Sequence, residues 1–438
     1  MKINKKYILI AVVIIIAIVM ISVYNKNNDN TTTNKENILQ NKELRDNKSA
    51  DEINRLWKED ILYLGKKLNS KHKNMYHSIS KKEYESEVQL IIDDLPNLTD
   101  MGKIIKIKEL VAKIGDGHTA VIENMEVKSF PVKLMIFEDG LYVINTIDEY
   151  KEILGTKLIK IGNEPIDGVI KRMGKMISRD NEVQLLMGTL NYIVNANFLL
   201  EYGFIDDINN GDFVFETLDG EEISKKLVSI RNIRNRKWLS IASKYSGLIN
   251  MSYVKNGNQP YWFEYLPEHN LVYFQYNACI NNKENPINDF TNKLLKFVEE
   301  NNVVKFIFDM RFNGGGDSRV IEPLINAITK NKKINKENNL FVVIGKHTYS
   351  SAILNSLALK QKTNAILIGE PTGGKPNHYG EIKTFDLPNT GLTIQYSTKY
   401  FKHSNNEEDS IYPDIRIKYD FKDFIKGIDP AMEAILSK

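Results

Sequence analysis

Two adjacent serines, Ser350 and Ser351, stand between an apolar run ending in "FVVIGKHTY" and the helical pattern "SAILNSLALKQ"; Lys375 follows 25 residues after Ser350 in the glycine turn "TGGKP". A serine hydroxyl at a helix start, within reach of free N–H groups and of a base, has the parts for acyl transfer. A third feature is "FDMRFNGGGD", where Asp309 ends an apolar strand and Gly314, Gly315 and Gly316 make a turn whose backbone can approach a ligand because no Cβ intervenes. Each also has a plain structural use. A serine before a helix is commonly an N-cap, a glycine triplet a simple turn, and a lone lysine a solvated charge.

The elements around these residues decide whether they can meet. From residue 269 the order is "NLVYFQYNA" (strand), "NDFTNKLLKFVEEN" (helix), "VVKFIFDM" (strand), "SRVIEPLINAITK" (helix), "LFVVIG" (strand), "SAILNSLALKQ" (helix) and "NAILIGE" (strand). Such alternation predicts an α/β core of right-handed βαβ units with a largely parallel sheet, whose sites form at the carboxyl ends of the strands. The serines, the glycine turn and Lys375 all fall at those ends.

The preceding chain divides by composition. Residues 7–24 carry no charge and would span about 27 Å as a helix, close to the hydrocarbon thickness of a bilayer. Lys2, Lys5 and Lys6 precede the run and Tyr7 and Tyr24 bracket it, which predicts a single-pass anchor (1–24) with a cytoplasmic N-terminus and an extracytoplasmic body. No small-x-small cleavage site follows it. Residues 25–50 are nearly all polar and read as a disordered tether. Residues 51–125 show three- and four-residue apolar spacing, a helical part. Residues 126–175 alternate in short runs with Asp-Gly and Gly-Asn turns, a small β-rich module, and 176–265 read as a connecting region of helix and short strands. The core occupies 266–438.

With 438 residues, 42% of them hydrophobic, the chain is globular and long for one domain. Three of its 59 basic residues lie in the first six positions, leaving 56 basic against 56 acidic, so no net basic face marks a nucleic-acid binder. The lone Cys279 excludes a disulfide framework and sits in an apolar run as a small core residue. The seven histidines are scattered, with no His-x-x-x-His pair, and no metal or cofactor site is expected.

Over residues 266–416, with "KIGDGHTAV" as an upstream block, the chain resembles peptidase family S41: the tail-specific or carboxyl-terminal processing proteases and the tricorn-core branch. "IFDMRFNGGG" is similar to the family's Asp-Leu-Arg-x-Asn-x-Gly-Gly strand and turn, and "HTYSSAILNSLALKQKTNAILIGEPTGGK" aligns without a gap on its nucleophile-to-lysine segment. The resemblance implies a ClpP/crotonase-like spiral core, Ser350 rather than Ser351 as nucleophile, and Lys375 as general base. A lysine can serve only when neutral, which requires its pKa to fall from about 10.4 to near 7, a differential of about 4–5 kcal/mol that burial must supply. The oxyanion would be held by the N–H groups of Ser351 and Gly315.

The chain departs from the processing-protease pattern at Ile353, where a glutamate usually stands, and at Pro376, where a glycine does. The tricorn branch uses an upstream histidine instead. His118 matches that position, Gly117 replaces the neighbouring serine, and Glu407 sits where that branch has its glutamate. Lys375 and His118 are therefore both candidate bases, with His378 a lesser one, and pairing with Asp116 is the plain alternative for His118. "GTKLIKIGNEPIDGVI" resembles part of a degenerate PDZ domain, which implies capture of substrate C-termini by strand addition, or a spacer where the glycine-rich carboxylate loop is missing. The implied function is a membrane-anchored serine endopeptidase acting on protein or peptide substrates. The competing expectation is an inactive scaffold on the same fold.

Overall fold

The computed structural model describes residues 48–123, 125 and 127–438. The expected anchor and most of the tether lie outside the described residues; among those described, no helix is long and apolar enough to cross a membrane.

Three helices open the described chain. Ser49, Ser80 and Thr99 each turn a side-chain oxygen onto a backbone N–H and so start Ala50–Lys71, Lys81–Asp94 and Asp100–Ala112, the second with a reciprocal Ser80–Glu83 capping box. Their apolar faces bury Trp57, Ile61, Leu64, Ile107 and Leu110 together with Val121, Ile394 and Tyr396. The last three come from strands. Ala120–Ile122 pairs antiparallel with Thr393–Phe401, which continues the hairpin begun by His378–Asp386. The N-terminal helices are thereby stitched to a segment from the far end of the chain.

A second core lies under an antiparallel hairpin sheet. Val132–Phe137 and Gly140–Thr146 form its first hairpin, and Lys157–Ile161 joins through Asn210–Glu216 to Glu222–Val228. The β-rich module thus extends past residue 175, because alternation in "NGDFVFE" buries Phe213 and Phe215 on the same face as the earlier strands. Short helices, including Ile166–Met173 and Glu182–Thr189, fill the interval.

The third core is the α/β sheet expected from the alternation. Its strands run Tyr261–Leu266, Leu271–Tyr276, Lys305–Asp309, Leu340–Ile344, Ile366–Gly369 and Ile415–Arg416 in that spatial order; the first pairs antiparallel and the rest are parallel. Leu271–Tyr276 and Leu340–Ile344 are buried at every position, as a sheet covered on both faces requires. Helices Ile287–Glu300, Glu322–Lys330 and Ser351–Lys362 make the crossovers.

The carboxyl end of the Lys305–Asp309 strand is held by a buried ionic knot. Arg311 is 6% exposed; its Nε reaches Asp309 at 2.9 Å, while Nη1 and Nη2 reach Asp429 at 3.1 and 2.9 Å. Asp309 also accepts the Tyr273 hydroxyl at 2.6 Å, and Asp429 caps the last helix, Pro430–Leu436. The glycine turn begins directly beyond this knot.

Candidate active site

Ser350 occupies the residue before helix Ser351–Lys362, yet its hydroxyl caps nothing. Its backbone sits at φ 55°, ψ −124°, a left-handed conformation that a side-chain-bearing residue adopts at a cost of about 1–3 kcal/mol. The strain lifts the side chain off the helix. Its Oγ lies 3.0 Å from Nε2 of His118, a residue 232 positions earlier in the chain.

The glycine turn packs against the same point. Gly315 has φ +104°, and a Cβ there would meet Cβ of Ser350 at 2.9 Å and N of Ser351 at 3.1 Å, so only glycine permits this approach. Ser351 Oγ donates to the Gly316 carbonyl at 2.6 Å, tying turn to helix. Of the two expected oxyanion donors, the Gly315 amide donates to Asn313 Oδ1 at 2.9 Å, whereas the Ser351 amide has no acceptor among the described residues. The Ser351 N–H, at the positive end of the helix, is open to an incoming oxygen.

His118 is gripped through its backbone rather than by a carboxylate on its ring. Its N–H goes to Asp116 Oδ1 at 2.9 Å and its carbonyl takes the Gln395 amide at 2.8 Å. Gly117 donates to Asp180 Oδ1 at 2.8 Å and accepts from Gln184 at 3.1 Å. A Cβ at Gly117 would lie 2.3 Å from the Gln184 amide oxygen, so a side chain there would have to displace this hydrogen-bonded amide. Asp116 spends its other oxygen on His72 (2.9 Å) and Thr119 (2.5 Å). The plain alternative for His118, pairing with Asp116, is met through its backbone N–H rather than its ring. The ring's Nδ1 instead lies 2.9 Å from the Tyr349 hydroxyl, with the two rings stacked at 4.6 Å.

Electrostatics keep this imidazole neutral. Burial pushes the His118 pKa down to about 4; Asp116 opposes the shift and the stacked His378 ring, 5.5 Å away, adds to it. Burial also raises Asp116, but its hydrogen bond to His72 and the nearby His118 outweigh that and hold it well below the usual carboxylate range. Asp180 goes the other way: burial, then the charge of Asp116, lift it to about 7, and its Oδ2 is buried without a hydrogen-bond partner among the described residues.

The other sequence-derived candidates are placed differently. Lys375 is half-buried in its turn; its ammonium has no hydrogen bond or ion pair among the described residues, and its carbonyl accepts from His378 Nδ1 at 2.9 Å. It makes no contact with Ser350 among the described residues; its backbone amide and its charge both act on Asp180 instead. Glu407 is exposed and makes only a 3.5 Å contact with Asn377. Cys279 is buried against Asn313 and Asn355, a core residue supporting the glycine turn. Among the described residues no cluster could hold a metal ion. The sequence reading passed over Tyr349, Asp180 and Gln184. Tyr349 was recoverable by adjacency to Ser350; the other two lie in a helix start with no chemical signature of its own.

Beside Tyr349 and Gly314 opens a cavity of about 500 Å³, whose walls include Met135, Ile144, Met187, Ile241, Tyr253 and Phe312. It runs between the hairpin sheet and the α/β core, and it is predominantly apolar.

Residues 325–417 match the family model for peptidase family S41. In fold the chain is similar to mature CPAF complexed with lactacystin, at a TM-score of 0.65 and 11% identity over 87% of this chain and 97% of that one. It is similar also to mature CPAF alone, with a TM-score of 0.60, 12% identity, and coverage of 87% and 96%. No curated protein matches it in sequence. At these identities the likeness is one of fold.

Proposed function

We propose that this chain, an S41 family peptidase in its fold and its 325–417 segment, is a serine endopeptidase in which Ser350 is the nucleophile and His118 the general base. The observation that carries the reading is the 3.0 Å contact between Ser350 Oγ and His118 Nε2. Nε2 takes the hydroxyl proton as Oγ attacks the scissile carbonyl; the carbonyl oxygen becomes an oxyanion facing the Ser351 N–H. Collapse breaks the C–N bond, the imidazolium returns its proton to the leaving amine, and water, activated by the same nitrogen, releases the acyl group from Ser350. The apolar cavity beside Tyr349 suits substrates that present large apolar side chains near the cleaved bond.

A fluorophosphonate probe tests the assignment: the parent and Ser351→Ala are expected to label and Ser350→Ala to remain unlabelled. Absence of labelling and of peptide turnover in the parent would leave a scaffold on a peptidase fold.

The uncharged run at residues 7–24 supports a further element of the reading, an uncleaved anchor that holds the body outside the cytoplasm. The mature chain is expected in the membrane fraction with residues 2–24 intact. An N-terminal sequence that starts beyond residue 24 would overturn this.

A further inference from the structure

The dyad poses a question about protons. For Nε2 to accept from Ser350, the neutral His118 ring must carry its hydrogen on Nδ1, and which nitrogen holds the hydrogen is set by the partner Nδ1 finds. Charge-relay sites usually supply a carboxylate there. Among the described residues no carboxylate meets Nδ1: Asp116 is held by the His118 backbone, His72 and Thr119; Asp180 takes the Gly117 amide with one oxygen only; Glu407 lies at the surface beside Asn377.

We propose, resting on the dyad reading above, that the Tyr349 phenol is the positioning residue of His118: its oxygen accepts the Nδ1 hydrogen at 2.9 Å and its ring, stacked at 4.6 Å, fixes the imidazole plane. The phenol is suited to this because it cannot ionise here. Burial, with the charges of Asp180 and Asp116, raises its pKa well above the ordinary value, so it stays a neutral hydrogen-bonding group throughout the working range. The Gln184 side chain also lies close to the phenol while holding the Gly117 carbonyl. The placement follows from the strained turn at Ser350, which sends neighbouring side chains to opposite sides of one imidazole: Ser350 to Nε2, Tyr349 to Nδ1. A neutral partner stabilises the imidazolium less than a carboxylate would, so Tyr349 selects the tautomer and orientation of His118 more than it raises its basicity.

Tyr349→Phe keeps the ring and removes the acceptor. Its kcat is expected to fall roughly 10- to 100-fold with KM within about twofold, and probe labelling of Ser350 should slow by the same factor as kcat. A variant with kcat within about twofold of the parent, or one whose loss lies wholly in KM, overturns the role. Should the variant fold poorly, ¹⁵N shifts of His118 in the unmodified full chain decide the matter: the Nδ1–H tautomer supports the proposal, and the Nε2–H tautomer, with Tyr349 donating, overturns it. An active parent beside an equally active Tyr349→Phe refutes this inference alone, whereas a parent that neither turns over peptides nor labels refutes the peptidase reading itself.

Discussion

His118→Ala is expected to lower kcat on the order of 10⁴- to 10⁶-fold, and the Ser350→Ala, His118→Ala double variant to lose little more, because nucleophile and base act as one unit. Lys375→Ala should stay within roughly threefold of the parent, since the lysine ammonium has no contact with Ser350 and its backbone contacts survive the change. The pH profile separates the two bases independently. A histidine base works in its neutral form, so activity is retained above its pKa and lost below it. With His118 held down to about 4, the acidic limb of kcat/KM should fall near that pH rather than near the histidine norm of about 6.5. A folded Lys375→Ala protein that is as inactive as Ser350→Ala would return the proton to Lys375 and sink the His118 assignment.

Arg311→Met should cost about 3–5 kcal/mol of stability, the largest single loss expected outside the chemistry, because it leaves Asp309 and Asp429 buried without their shared cation. The effect should spread to activity. Asp309 and Arg311 end the strand that launches the glycine turn, and Asp429 starts the final helix, so the knot connects the site to the C-terminal end of the fold. A urea midpoint for Arg311→Met close to that of the parent would show the knot to be energetically neutral. Adding Asp309→Asn and Asp429→Asn should recover part of the loss, since the cost comes from uncompensated charge rather than from lost packing.

What the sequence displayed most clearly was the parallel core, because strands buried on both faces read as unbroken apolar runs and their helices alternate with them at short intervals. Ser350, the glycine turn and His118 were visible as separate motifs, each in its own stretch of chain. The choice between the two bases was not. Lys375 and His118 both follow family patterns, and the difference between them is which one the fold brings to Ser350 Oγ, a matter of tertiary placement that spacing does not encode. The extent of the hairpin sheet was also hidden: a helical stretch separates Asn210–Glu216 and Glu222–Val228 from the earlier strands, and only the pairing of Asn210–Glu216 with Lys157–Ile161 on one side and Glu222–Val228 on the other identifies them as part of the same module. Gln184 and Asp180 act through backbone groups of Gly117, so their residue types carry little information about what they do.

His118 and Ser350 belong to different cores, and that has a consequence in time. The loop bearing His118 is anchored by Ile114 and Val121 among the N-terminal helices, while Ser350 rises from the α/β core. The strand Thr393–Phe401, made after both, pairs with Ala120–Ile122 and holds the His118 carbonyl through Gln395. A growing chain thus carries His118 for 232 residues before Ser350 follows, and must add some forty more before the strand that holds the His118 carbonyl is made.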